Sequence, residues 1–230
     1  YAGEFDFGTL IADEASRIEV LRGQQSAIYG SDAIGGVIQY ITLDGRDAPG
    51  AVARIEAGSF GMVNGAARIA GYSGDLDYAL SATLNTTDGT PGARNGTRDL
   101  ANDSGAVSLK TTFAPSTNAR LTGVLRYART NAEFNDSDSD PGSPTFGFQV
   151  DSPGNRFENE AIYVLIRGEL DLLDDRWTQA FSAQIADTRR DGFASTGRSY
   201  GSEGQRLKGS YDTTLRIEAG GLTHRVTAAL

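Results

Sequence analysis

"RLKGSYDTTLRIE" spans Arg206 to Glu218, and taking every second residue sorts its side chains into two sets. Leu207, Tyr211, Leu215 and Ile217 fall on one side. Arg206, Lys208, Ser210, Asp212, Thr214, Arg216 and Glu218 fall on the other. A helix would return to one face every three or four residues, whereas a strand alternates, so this stretch reads as a strand with one oily and one strongly polar face.

The same period recurs outward from it. "YALSATLN" sets Tyr78, Leu80, Ala82 and Leu84 against Asp77, Ser81, Thr83 and Asn85. "AVSLKTTF" opposes Val107, Leu109 and Phe113 to Ser108, Lys110 and Thr112. "AIYVLIRGEL" opposes Ile162, Val164, Ile166 and Leu170 to Tyr163, Arg167 and Glu169. Nine strands are predicted, at 51–58, 62–72, 76–87, 105–114, 119–130, 160–171, 177–189, 206–218 and 222–230. Most exceed the usual globular strand of roughly 5–6 residues.

Their connections alternate in length. Short turns are predicted at Ser73–Asp75, Pro115–Asn118, Leu173–Arg176 and Ala219–Gly221. Between them lie long polar segments, Thr87–Ser104, Thr130–Asn159 and Gly192–Gln205; only the first hairpin, near Ser59–Gly61, is brief. If each strand reverses direction, the tight turns share one end of the sheet and the long loops the other, the arrangement of outer-membrane barrels. Polar loops of this length are unusual in a compact soluble domain. Single-chain bacterial barrels use even strand numbers, so nine strands predict part of a larger barrel whose edges the rest would cover. A passive pore, an adhesive barrel and a soluble β-rich ligand-binding module are the competing classes.

Composition narrows the field. The net charge of −9 argues against a nucleic-acid partner. With no cysteine there is neither a disulfide framework nor a thiolate metal site. No run approaches the roughly 18 apolar residues of a membrane-spanning helix, but a spanning strand needs only about 9–11, alternately apolar. The opening "YAGEFDFGTL" has neither a basic start nor an apolar core, so no signal peptide is read there.

Residues 17–42, "RIEVLRGQQSAIYGSDAIGGVIQYIT", break the pattern. A short strand ends at Gly23, about one helical turn reaches Gly30, and Gly35–Gly36 turns into the apolar strand Val37–Thr42. This unit reads as the end of a small α+β domain. It resembles the C-terminal end of the plug domain of TonB-dependent outer-membrane receptors, in which R-I-E-V-L-R-G-P-x-S-A-x-Y-G-x-x-A-I-G-G-V-I-N-I-I-T is typical. Gln24 stands for the usual proline and Gln39–Tyr40 for a common Asn-Ile.

The resemblance implies an organisation of 1–44 as plug end, 45–50 as linker and 51–230 as the first part of a transmembrane barrel. The fold class is therefore all-β, about nine antiparallel strands of a barrel of about 22. It also implies active uptake of a scarce nutrient (a siderophore-iron complex, cobalamin or similar) across a Gram-negative outer membrane, by a monomer without catalysis. Energy would come from TonB, ExbB and ExbD through an N-terminal segment not in this sequence. Glu19 and Arg22 are the plug–barrel contact positions that it carries over. Arg54, Arg68, Lys110, Arg126 and Arg167 are candidate wall partners by alternation.

"NDSDSDPGSP" offers Asp136, Asp138 and Asp140 as hard oxygen ligands for calcium, although Pro141 and Gly147 stand where an EF-hand has glycine and an acid. In cobalamin transporters of the resembled family such loop aspartates bind calcium, and Asp88, Asp99 and Asp103 would join them. Phe134, Phe146, Phe148 and Phe157 are substrate-loop candidates. "GRSYG" matches G-x-S-x-G at Ser199, but lacks the strand–turn–helix context of a hydrolase, and the single histidine, His224, lies on a strand's apolar face.

Overall fold

The computed structural model describes residues 15–29 and 33–230. The stretch before Ala15, and Gly30 in the plug-like motif, lie outside the described residues. Strand β1 (Ala15–Arg22) pairs antiparallel with β2 (Gly36–Thr42), and α1 (Ser26–Tyr29) is a single turn between them. The connection is tied at its neck, where the Gln25 amide donates to the Ala33 carbonyl at 2.9 Å.

The rest is one antiparallel sheet. Its strands are β3 (Gly50–Ala57), β4 (Val63–Ser73), β5 (Leu76–Thr87), β6 (Asn102–Ser116) and β7 (Ala119–Glu133). After a loop holding the short pair β8 (Asp136–Ser137) and β9 (Gln149–Val150) come β10 (Arg156–Leu172), β11 (Trp177–Ala194), β12 (Gly197–Ala219) and β13 (Leu222–Ala229). Each of the nine long strands pairs with its neighbour in sequence.

The register explains why alternation was so regular. Ile69, Leu80, Leu109, Leu125, Val164, Ile185 and Leu207 stand opposite one another across seven strands. One residue away, on the other face, runs the row Arg68, Ser81, Ser108, Arg126, Tyr163, Ala186 and Arg206. Burial is inverted relative to a soluble protein: Leu80 is 43% exposed and Leu125 48%, while Ser108 is 2% and Arg126 8%. The buried apolar residues on the polar face are alanines, such as Ala106 and Ala128. A sheet that hides serine and arginine and displays leucine has water-compatible and lipid-compatible sides exchanged.

The apolar band has membrane dimensions. From Ile162 to Leu172 β10 advances about 33 Å at about 3.3 Å per residue, or about 25 Å along the membrane normal at a tilt near 40°. Aromatics gather toward the short-turn rim, where Phe181 stacks on Tyr211 at 4.6 Å and the Trp177 indole donates to Thr213 at 2.9 Å. At the other rim the outward row becomes Arg129, Glu160, Arg189 and Glu203, alternating in sign.

The short turns are where the sequence puts them, with left-handed backbone at Gly74, at Leu173–Asp175 and at Gly220–Gly221. One expected long loop is not a loop. Residues 197–205 extend β12, and paired with β11 they leave a two-residue turn at 195–196. Above the lipid belt both faces of a hairpin meet water, so no hydrophobic period marks the strand.

Candidate functional site

The end of the plug-like unit is fastened to the polar face of the sheet. Leaving β2, Thr42 offers its carbonyl to Lys110 Nζ at 3.1 Å, and Asp44 pairs with the same ammonium at 2.8 Å. Arg46 bonds Asp77 at 2.7 Å, donates to the Gly74 carbonyl at 2.6 Å and lies 4.6 Å over the Tyr72 ring. Between them Gly45 is pressed on backbone: a Cβ there would stand 2.0 Å from the Gly71 carbonyl oxygen and 2.6 Å from that of Tyr78. Gly45→Ala is therefore expected to lift the segment off the wall, raising proteolysis at 42–50 in the complete protein at least severalfold. Unchanged cleavage would mean that the clamp does not hold the segment.

Of the expected plug–barrel residues, Glu19 pairs with Arg17 on its own strand at 2.7 Å, and Arg22 is exposed opposite Gly36. Among the wall candidates, Lys110 meets the plug end, but through Asp44. Arg54 bonds Glu56 at 2.8 Å, Arg167 pairs with Asp212 at 3.3 Å, and Arg68 and Arg126 sit together in one inward row with Ser81 and Ser108. Sequence reading passed over Asp44 and Arg46 because they fell in what read as a polar linker.

At the opposite end, two loops far apart in sequence are locked by one arginine. Arg98 donates to the Phe134 carbonyl and Asn135 Oδ1 at 3.0 Å each, to the Asn155 carbonyl at 3.1 Å, and pairs with Glu133 at 3.3 Å. Its side chain is only 14% exposed. Asp151 reciprocates by accepting the amides of Thr97 at 2.8 Å and Arg98 at 3.2 Å.

The aromatic candidates divide into two groups. Phe134 and Phe157 pack at the base of the loop with centroids 6.3 Å apart, and the Arg190 guanidinium covers Phe157 at 4.7 Å. Phe146 and Phe148 are exposed nearer the tip, where Arg94 lies 5.1 Å over Phe148.

The loop aspartates face separate partners. Asp136 accepts from Asn155 Nδ2 at 2.5 Å; Asp138 accepts from the Asp140 amide at 2.9 Å and Thr145 Oγ1 at 2.6 Å; Asp140 accepts from the Gly142 amide at 2.9 Å. Among the described residues no three His, Cys, Asp or Glu side chains gather as a metal site. Hydrogen bonds from Ser143, Thr145 and the Asp140 amide hold the Asp138 carboxyl below its ordinary range. A lowered folded-state pKa means that its contribution is complete above the unfolded value of about 3.9 and is lost as pH falls through the folded one. A carboxyl titration should place Asp138 below the ordinary aspartate value, and Thr145→Val should raise it; a midpoint at or above the ordinary value contradicts these bonds.

Ser199 donates its hydroxyl to the Gly192 carbonyl at 3.1 Å, while His224 stands opposite Ile217. Those positions are about 60 Å apart along β12 at about 3.3 Å per residue, so the serine motif has no base.

Three comparisons bear on this architecture. Residues 1–37 match the family model of the TonB-dependent Receptor Plug Domain. A hemin receptor of Yersinia pestis is 29% identical over 230 aligned positions, covering 88% of this chain and 31% of that protein. The vitamin B12 transporter BtuB of Vibrio vulnificus is 41% identical over 58 residues, 25% of this chain and 10% of that protein. Among solved structures, the siderophore receptor PiuA of Acinetobacter baumannii superposes with a TM-score of 0.73 at 16% identity, covering 94% of this chain and 34% of its own. The ferric-catecholate import receptor Fiu of E. coli K12 gives 0.72 at 16% identity, with 94% and 38% coverage. The chain thus spans about a third of the hemin receptor and of PiuA. A plug-type sequence at its start runs into a sheet with the fold of these receptors' barrels, which makes the chain similar to TonB-dependent receptors in both parts.

Proposed function

We propose that the complete protein imports a scarce small nutrient across a Gram-negative outer membrane, driven by TonB with ExbB and ExbD. In this reading residues 1–44 end the plug, 45–50 link it, and 51–230 begin a monomeric barrel of about 22 strands. The observation that carries it is the clamp of Asp44 and Arg46 on Lys110 and Asp77, on the polar side of a sheet whose other side is oily. A passive pore has no use for a stopper fixed to its wall by ion pairs that water can replace.

The relatives' names support an iron complex, haem or cobalamin as cargo. Cells producing the complete receptor should take up one of ferric siderophore, haemin or cyanocobalamin, and lose that uptake when TonB is deleted. Uptake that persists without TonB would favour a passive pore and overturn the proposal. Calcium in the 136–150 loop would have to displace the bonds that now occupy Asp136, Asp138 and Asp140; calcium-dependent binding of cobalamin to the complete receptor decides that point.

A further inference from the structure

We infer that Asn95–Gly96, in the loop joining β5 to β6, is a site of covalent modification, where water turns the Asn95 amide into a carboxylate and so loosens the joint between the two long loops. This stands apart from any cargo and from the import reading. The sequence holds two Asn-Gly pairs, Asn64–Gly65 and Asn95–Gly96. In such a pair no β-carbon shields the nitrogen that follows the asparagine, so that nitrogen can reach the side-chain carbonyl carbon. The fold treats the two pairs differently. Asn64 and Gly65 lie inside β4, paired on one side with Glu56 and Ile55 and on the other with Asn85 and Leu84. Asn95 is exposed at a turn closed by the bond from the Gly96 amide to the Ala93 carbonyl at 3.0 Å. Ring closure at Asn64 requires part of a paired sheet to open; at Asn95 a surface turn suffices, which lies at the low end of local opening energies.

The loop itself demands this pair. Asn95 has a φ of 59°, a left-handed conformation that glycine and asparagine adopt most readily. Gly96 has no room for a side chain: a Cβ there would stand 2.3 Å from Asp151 Oδ1 and 2.7 Å from Ala93 Cβ. The reaction consumes only water. The Gly96 nitrogen attacks Asn95 Cγ; the new N–C bond replaces the bond to Nδ2, which leaves as ammonia with the amide proton. Water then opens the cyclic imide at either carbonyl, giving aspartate or isoaspartate. Isoaspartate inserts a backbone methylene just ahead of Thr97, whose amide, with that of Arg98, is held by Asp151 at 2.8 and 3.2 Å. Either product also adds negative charge beside the glycine that packs on Asp151, and like charges repel. Arg94, in the same turn, lies over Phe148 of the second loop, so a distorted turn disturbs both of its holds on that loop.

The complete protein in lipid vesicles is incubated at mildly alkaline pH and digested, and its peptides are resolved by mass and by isoaspartate content. Asn95 should convert at least about tenfold faster than Asn64, because a turn opens alone and a strand opens with its sheet. After unfolding in urea the two should convert at comparable rates, since the sheet no longer protects Asn64. Hydrogen exchange at 134–155 should run at least about tenfold faster in the converted protein than in fresh protein. Asn95→Gly keeps the left-handed turn and removes the amide, so it should age without that change. Equal rates in the folded protein, or faster conversion at Asn64, overturn the site. Conversion at Asn95 with unchanged exchange, or an equal acceleration in aged Asn95→Gly, overturns the link to the joint between the loops.

Discussion

Ile185→Arg is expected to cost the assembled barrel about 2–4 kcal/mol, the penalty for an arginine at the middle of a lipid-facing strand. Ile185 lies in the central outward row, between Val164 and Leu207, and is half exposed at 50%. Its neighbour Gln184 faces the polar side opposite Leu165 and Lys208. Gln184→Arg keeps its charge in water and should change stability by well under about 1 kcal/mol. Urea titration of the receptor in lipid vesicles, with tryptophan fluorescence as the reading, separates the two. Equal tolerance of both substitutions would mean that the oily face does not meet lipid.

The second large effect is expected at Arg98. Truncation to alanine leaves the carbonyls of Phe134 and Asn155, the Asn135 amide oxygen and Glu133 without their shared donor. Breaking a largely buried, hydrogen-bonded charge costs on the order of 3 kcal/mol, which is more than a hundredfold in a local opening equilibrium. Hydrogen exchange at 97–101 and 134–155 should accelerate accordingly, while the strands below the loops stay protected. Lysine at position 98 should recover only part of the loss, because one ammonium cannot serve carbonyls fanned around a guanidinium. Exchange confined to wild-type rates would show that the loops hold without this side chain.

How much of this was legible follows from where solvents differ. Between the rims each strand meets something oily on one side and something wet on the other, so Leu207 through Ile217 announce their period in sequence. Above the rim that contrast vanishes: residues 197–205 meet water on both sides, and a paired strand reads as a loop. The same holds for β8 and β9, too short and too polar to carry a period. The plug end was readable because "RIEVLRG" and "AIGGVI" fix a particular strand–turn–strand.

The contacts that make the site were not readable. Arg98 meets residues more than thirty positions away, and Asp44 meets Lys110 across sixty-six; neither has a local spacing to betray it. Glu19 and Arg22 carry the expected role by resemblance; among the described residues Glu19 pairs with Arg17, and Asp44 and Arg46, just after β2, also meet the wall. A charged residue on each side of a glycine, "DGR" at Asp44–Arg46, was the available hint.

In this architecture lipid touches one face of the sheet and water the other. Nitroxide labels at Leu207 and at Lys208, adjacent on β12, test this in the complete receptor in bilayers. Dissolved oxygen concentrates in hydrocarbon, and a neutral nickel chelate stays in water. High oxygen and low nickel collision rates at 207, reversed at 208, are predicted; the opposite order, or no difference between the two positions, would contradict it.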